Sequence, residues 1–221
     1  MRQLFLWCLV VGWIALISGV VVAQNPIDSA QMRSDAAYEA LEKGGLIILL
    51  PSKHNKISGL EKVIAKKRGL SKTSRARYQS LLDNTIEERD GYNQALVTAF
   101  RSEYSFSKCY FAYDTVRNAI KEGQYHGFFL DDSLRIDSTI RLESDTFLLA
   151  KEVIGDRSTT TGSRGLVFMD KNFKQLEAPF PYWINYPNIS YRFSKLLKIR
   201  NSLQRSMITL VNSVQDRLRE P

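Results

Sequence analysis

GLIILLPSKHNKISGLEK, residues Gly45 to Lys62, decides how the rest of the chain is read. Leu46 to Leu50 is an unbroken aliphatic run between Gly44-Gly45 and Pro51. A strand with one wet face alternates apolar and polar residues; a continuous run suits a strand buried on both faces, as in parallel sheets covered by helices. Pro51 has no N–H for a sheet ladder and closes the strand. A polar, basic loop, Ser52 to Asn55, leads into a helix, Lys56 to Lys67, with Ile57, Leu60, Val63 and Ile64 on one side. Strand, loop and helix in this order are the first half of a β-α-β unit, where α/β domains place their ligand sites. Lys53, His54 and Lys56 are therefore the candidate ligand-binding residues. They would hold a phosphate, sulfate or carboxylate beside the helix N-terminus, where free N–H groups and the helix dipole favour an anion. His54 is a candidate acid or base near neutral pH, against the plainer reading of a surface histidine. The loop lacks the glycines of a phosphate loop.

Toward the N-terminus, Ala36 to Lys43 reads as a short helix with Ala37, Ala40 and Leu41 on one face, capped by Ser34-Asp35 and ended by Gly44-Gly45. Asn25 to Asp35 is polar and reads as an arm or linker. Before it, Met1-Arg2 supplies a positive start, and Leu4 to Val22 is apolar apart from Ser18. Val21 and Ala23 place small residues at the −3 and −1 positions of a cleavage site. This predicts a secretory signal peptide, residues 1–23, removed after Ala23, and a mature chain 24–221 that is periplasmic or secreted. The alternative is an uncleaved membrane anchor, because the apolar run is nearly long enough to span a bilayer.

Toward the C-terminus, a long helix is predicted from Thr73 to Ser102, with Tyr78, Leu81, Leu82, Ile86, Leu96, Ala99 and Phe100 as its buried stripe and Gly91 as a point of interruption. Between Ser52 and Leu82 nine Lys or Arg face one acid, Glu61. This is either the solvated side of two amphipathic helices or a patch for an anionic partner, with Lys66, Lys67 and Arg68 at its centre. Phe106 to Tyr113 reads as a second strand, with Cys109 a buried, inert thiol inside it. Asp114 caps a helix from Thr115 to Lys121. Gly127 to Leu130 is a short strand candidate, followed by Asp131, Asp132 and Asp137. These carboxylates are either acid–base or metal-binding groups or ordinary turn residues, and they lack calcium-loop spacing. Phe147 to Ile154 and Gly165 to Met169 form a β-hairpin around the polar loop Gly155 to Arg164. Pro179-Phe180-Pro181-Tyr182-Trp183 is either a hydrophobic plug or a carbohydrate or peptide contact. Ile189 to Leu218 is a long helix with apolar residues at three- and four-residue steps. It packs on the sheet or, in the alternative, forms a homodimer seam.

The whole is one α/β domain: a central, mostly parallel sheet with a C-terminal β-hairpin, flanked by helices and closed by a long C-terminal helix. The order of elements resembles the thioredoxin fold. In that fold the redox CxxC follows the first strand of the unit; here the place holds Ser52-Lys53-His54-Asn55, and a single cysteine remains in the mature chain. The resemblance therefore implies the fold without its redox chemistry. Gly45–Pro51, Ala99-Phe100 through Tyr110-Phe111, Gly165–Asp170 and Pro179–Tyr182 also resemble segments of exported, functionally unassigned Bacteroidota proteins. That likeness brings no activity with it.

The formal charge of +8 favours anionic partners. An export signal and the lack of a recognition motif argue against nucleic acid. No Gly-x-Ser-x-Gly, Walker A or His-Glu-x-x-His motif is present, and no metal or cofactor is expected. The leading expectation is an exported, non-catalytic envelope protein that binds a partner or supports an assembly. The alternatives are a ligand-binding or hydrolytic enzyme with an anion site at Ser52–Lys56, and an electrostatic binder of an anionic envelope polymer.

Overall fold

The computed structural model describes residues 26–66, 69, 71–154, 164–186 and 200–220. The predicted signal peptide, Lys67, Arg68, the predicted loop at 155–163 and the first part of the predicted C-terminal helix lie outside the described residues. Helix α1 (Pro26–Gly44) leads into β1 (Leu46–Leu50), followed by α2 (His54–Lys66), α3 (Lys72–Glu103) and β2 (Cys109–Tyr113). A 3-10 turn (Asp114–Val116) and the short α4 (Arg117–Lys121) follow, then β3 (Leu148–Ile154), β4 (Arg164–Met169), β5 (Trp183–Tyr186) and α5 (Arg200–Arg219). The sheet runs β2-β1-β3-β4-β5. β1 pairs in parallel with β2 and β3; β3 with β4, and β4 with β5, are antiparallel. This is the expected mixed α/β architecture, with β1 as an interior strand of the sheet.

Leu46 to Leu50 is buried at every position, with the side chains divided between two cores. Leu46, Ile48 and Leu50 meet α1, α3 and α5 through residues such as Leu41, Phe100 and Leu210. Ile47 and Leu49 point to the other face, against Ile120, Phe128, Phe129 and Phe147. Thus long helices cover one face, while α4 and aromatics of the irregular segment before β3 cover the other. Burying one such aliphatic side chain is worth about 1.5–3 kcal/mol, which is why an all-aliphatic strand is stable only in the interior.

Gly44-Gly45 makes this placement sterically possible. A Cβ on Gly44 would lie 1.6 Å from the Thr146 carbonyl oxygen, and one on Gly45 would lie 2.4 Å from that of Lys108. Gly45 also takes φ +90, the left-handed region open to glycine. The helix stops here because the Gly45 N–H donates to Leu41 O at 2.9 Å, and the next N–H, of Leu46, turns to Lys108 O at 2.8 Å.

Several predicted boundaries move. The arm Asn25–Asp35 is helical from Pro26 onward, so α1 is more than twice the predicted length. Pro26 stands at the first helical position, where proline loses nothing by lacking an N–H. Residues Ser34-Asp35 are inside the helix, and Ser34 is buried. Gly91 does not interrupt α3, which runs through it; Tyr92, Asn93 and Val97 join the buried stripe, while Tyr78, Leu81 and Ile86 are only half-buried. The strand predicted from Phe106 begins at Cys109, and Asp114, predicted as a cap, lies inside the 3-10 turn with its Oδ1 accepting the Ser52 N–H. Gly127–Leu130 contributes isolated bridges, Ala112 with Phe129 and Leu130 with Ile136. The proline-flanked aromatics divide: Phe180 is a core plug against Tyr38 and Phe168, Tyr182 is exposed, and Trp183 opens the unpredicted β5. Within α5, Leu203, Met207, Leu210, Val214 and Leu218 are buried against their own chain.

Candidate functional site

Beyond the carboxyl ends of β1 and β3 lies a cleft of about 280 Å³. Leu49, Pro51 and Tyr92 supply its apolar surface. The chain crosses from β1 to β2 on one side and then from β2 to β3 on the other, so the connections diverge at the end of β1, the usual ligand position in α/β proteins. After Pro51 the chain is tied down by Ser52, whose N–H donates to Asp114 Oδ1 at 3.1 Å and whose Oγ accepts the N–H of His54 at 3.2 Å. Lys53 takes φ +50, and its carbonyl accepts the N–H groups of Lys56 and Ile57 at 3.1 and 3.0 Å, starting α2. Underneath, Asn93 is fully buried and donates from Nδ2 to Pro51 O at 3.1 Å. Its Oδ1 has no hydrogen-bond partner among the described residues.

The charged lining is mixed in sign: Lys53, Arg89, Lys151 and Arg164 with Glu88, Asp114 and Glu152. Most of these charges are already matched. Lys53 Nζ lies 3.0 Å from Glu88 Oε2, and Arg164 Nη1 lies 3.2 Å from Glu152 Oε1. Arg89 Nε donates to Asp90 Oδ1 at 2.7 Å, and this hydrogen bond raises the pKa of its guanidinium. Lys151 is the loosest, with Nζ 3.9 Å from Asp114 Oδ2. Pairs half removed from water are held more firmly than surface pairs, because partial burial reduces screening.

The predicted site residues do not come together. Lys53 lines the cleft, but His54 and Lys56 are exposed on the first turn of α2 and do not line it. Lys66 is exposed at the end of α2, and Lys67 and Arg68 lie outside the described residues. The Asp131 carboxylate accepts the N–H groups of Arg135 and Ser133, and these bonds, the Arg135 N–H first, hold its pKa below the usual range. Asp137 is lowered in the same way by the Thr139 hydroxyl and N–H. Asp132 pairs with Arg101 at 2.8 Å. These acids serve turns and surface pairs away from the cleft. Among the described residues no group of three His, Cys, Asp or Glu could hold a metal ion. The Cys109 thiol is pushed up to about 12 by burial, against a smaller opposing pull from Arg101, so it carries little thiolate at neutral pH.

Five cleft residues were not singled out by the sequence reading, Glu88, Arg89, Lys151, Glu152 and Arg164, and a sixth, Asp114, was read there only as a helix cap. Two carried a usable signal. Lys151-Glu152 interrupts the apolar run Phe147–Ile154, and adjacent charges within a buried strand need partners. Glu88 and Arg89 looked like any solvated helix face. Among the described residues no helix is long and apolar enough to cross a membrane. Comparison of the chain with protein-family models, with curated proteins and with solved structures found no match.

Proposed function

We propose that the protein is an exported, non-catalytic envelope module that binds a small polar ligand in the cleft beyond β1 and β3. The observation that carries this reading is the pairing of charge around the cleft: Lys53 with Glu88, Arg164 with Glu152 and Lys151 near Asp114. Catalytic acids and bases need a free, tuned group facing the substrate. Here neither histidine nor the thiol lines the cleft, and its carboxylates are matched by cations, an arrangement suited to recognition. The signal-peptide pattern of residues 1–23 supports export. The likeness to exported Bacteroidota proteins points the same way. The thioredoxin-like order of elements carries no redox expectation, because Ser52–Asn55 stands where that chemistry would sit.

Native mass spectrometry of the chain recovered gently from its own envelope fraction tests the reading. The expected result is a small-molecule adduct on the wild type that is lost from Lys151→Met and Glu152→Gln proteins of unchanged fold. An adduct equally retained by both variants, or none on the wild type, overturns the cleft as the binding site.

A second reading rests on α2, which has no fully buried residue and exposes Lys56, Lys62 and Lys66. This face suits an anionic envelope polymer. Retention on such a polymer should fall steeply with salt and be lost on neutralising Lys66, Lys67 and Arg68. Salt-independent retention counts against it.

A further inference from the structure

The chemistry of the cleft narrows its ligand, and this step rests on the cleft being the binding site. A purely anionic ligand would draw a cation away from Glu88, Asp114 or Glu152 and leave a half-buried carboxylate without its partner. A purely cationic ligand would do the same to Lys53, Lys151 or Arg164. Breaking one side of a partly desolvated pair is costly, because the charge left behind is neither paired nor fully hydrated. A ligand that carries both signs avoids this, since it exchanges partners with a pair instead of removing one.

One pair in the cleft is built loosely enough for that exchange. Lys151 Nζ and Asp114 Oδ2 are 3.9 Å apart, beyond the 2.7–2.9 Å typical of a charge-assisted hydrogen bond. Asp114 Oδ1 accepts the Ser52 N–H, while Oδ2 accepts no hydrogen bond among the described residues. Lys151 is likewise free of hydrogen bonds among the described residues, and its side chain is 42% exposed. The other pairs, at 3.0 and 3.2 Å, are closer and less exposed. The apolar residues Leu49, Pro51 and Tyr92 line the same cleft. Its size, about 280 Å³, falls just below the usual range for small-molecule sites, roughly 300–1,000 Å³, and suits a small ligand rather than a polymer.

We infer that the cleft takes a free α-amino acid with an apolar side chain. Its carboxylate meets Lys151 Nζ, and its ammonium meets Asp114 Oδ2. The four groups then form a square of alternating charge, because an α-amino acid holds its own two charges side by side on one carbon. The side chain rests on Leu49, Pro51 and Tyr92.

Isothermal titration of the mature chain with L-leucine, N-acetyl-L-leucine and L-leucinamide tests this. L-leucine should bind at least tenfold more tightly than either blocked form. Lys151→Met should weaken it at least tenfold and Asp114→Asn comparably, while Arg205→Ala, on the exposed side of α5, should leave it unchanged. Circular dichroism and thermal midpoints establish that each variant is folded, and Lys151→Arg, which keeps the charge, should retain most of the binding. Equal binding of a blocked form overturns the zwitterion and leaves the cleft as a site. No binding of any probe overturns the inference, while the cleft itself falls only if the native adduct is also absent or insensitive to the variants. Binding that survives Lys151→Met and Asp114→Asn overturns the assigned pair.

Discussion

Lys53 shows how a single residue can serve both the backbone and the cleft. Its φ of +50 lies in the left-handed region, where a residue with a Cβ is held at a cost on the order of 1 kcal/mol. The contact with Glu88 at 3.0 Å helps offset that cost. Replacement by alanine removes the pair and keeps the strain; replacement by glycine removes both. Urea denaturation should therefore find Lys53→Ala less stable than Lys53→Gly by about 1 kcal/mol, and the reverse order would show that this backbone conformation is not strained. Cys109 makes a residue-scale prediction about pH. Its folded pKa is raised from about 9 to about 12 by burial. A raised value means that the folded state holds the proton more tightly than the unfolded state, so the contribution to stability is complete below pH 9 and declines as pH rises toward 12. Burial raises Tyr104, which hydrogen-bonds Ser107, in the same direction. Stability measured across this window should fall with rising pH, and less steeply in Cys109→Ala. Cys109 is partly buried rather than fully buried as the sequence suggested, so a thiol reagent at pH 8 should label it more slowly in the folded protein than in urea, and equal rates would contradict the raised pKa.

At the scale of elements, Gly44-Gly45 joins α1 to β1 where two other backbone segments come within contact distance. Gly45→Ala introduces both a left-handed alanine and a Cβ close to Lys108 O, and Gly44→Ala meets Thr146 O still more closely. Each should cost at least roughly 1–3 kcal/mol, as for other overpacked interior sites, with Gly44→Ala the more damaging in thermal unfolding. Gly165 is a different case. The indole of Trp183 lies over it, and an added Cβ would come within 2.5 Å of the ring. The pairing of β4 with β5 thus depends on a bare position that the sequence presents only as a glycine at a strand start. Two turns share one design. Asp131 and Asp170 each accept two N–H groups from the following residues, and Leu134 and Phe173 each take a left-handed φ, of 61 and 66. The pattern Asp-x-x-apolar-basic recurs in the sequence at both places, and it is readable there once the turn is known. For α5, Leu210 is buried to 1% exposure, so Leu210→Ala should cost about 2–5 kcal/mol in denaturant titration. A near-neutral effect would mean that the helix does not hold the core together.

For the whole molecule, the sheet brings four separated parts of the chain to one cleft. Lys53 follows β1, Glu88 and Arg89 come from mid-α3, Asp114 follows β2, and Lys151, Glu152 and Arg164 come from the β3–β4 hairpin. Lys151 approaches Asp114 only through the β2-β1-β3 order, whereas Glu152 meets Arg164 across the β3–β4 hairpin and Lys53 meets Glu88 where α3 passes the end of β1. The proposed export has its own measurement: N-terminal sequencing of the mature protein should begin at Gln24, and an N-terminus still carrying Met1 or its neighbours would favour the anchor.

The sequence by itself determined the class of the fold. The five aliphatics of β1 demanded burial on two faces, the glycine pair and Pro51 marked its ends, and the periodic stripes identified α3 and α5 as packed helices. These are local signals, set by side-chain periodicity and by what glycine and proline allow. Tertiary structure alone decided the site. Local order drew attention to His54 and Lys56 because they sit at a helix start, yet both are exposed, while the charges that line the cleft follow β1 and β2, lie within β3 and at the start of β4, and sit mid-way along α3. Which charge becomes a partner depends on which strands lie side by side, and strand order is a long-range property that no single stretch of chain encodes.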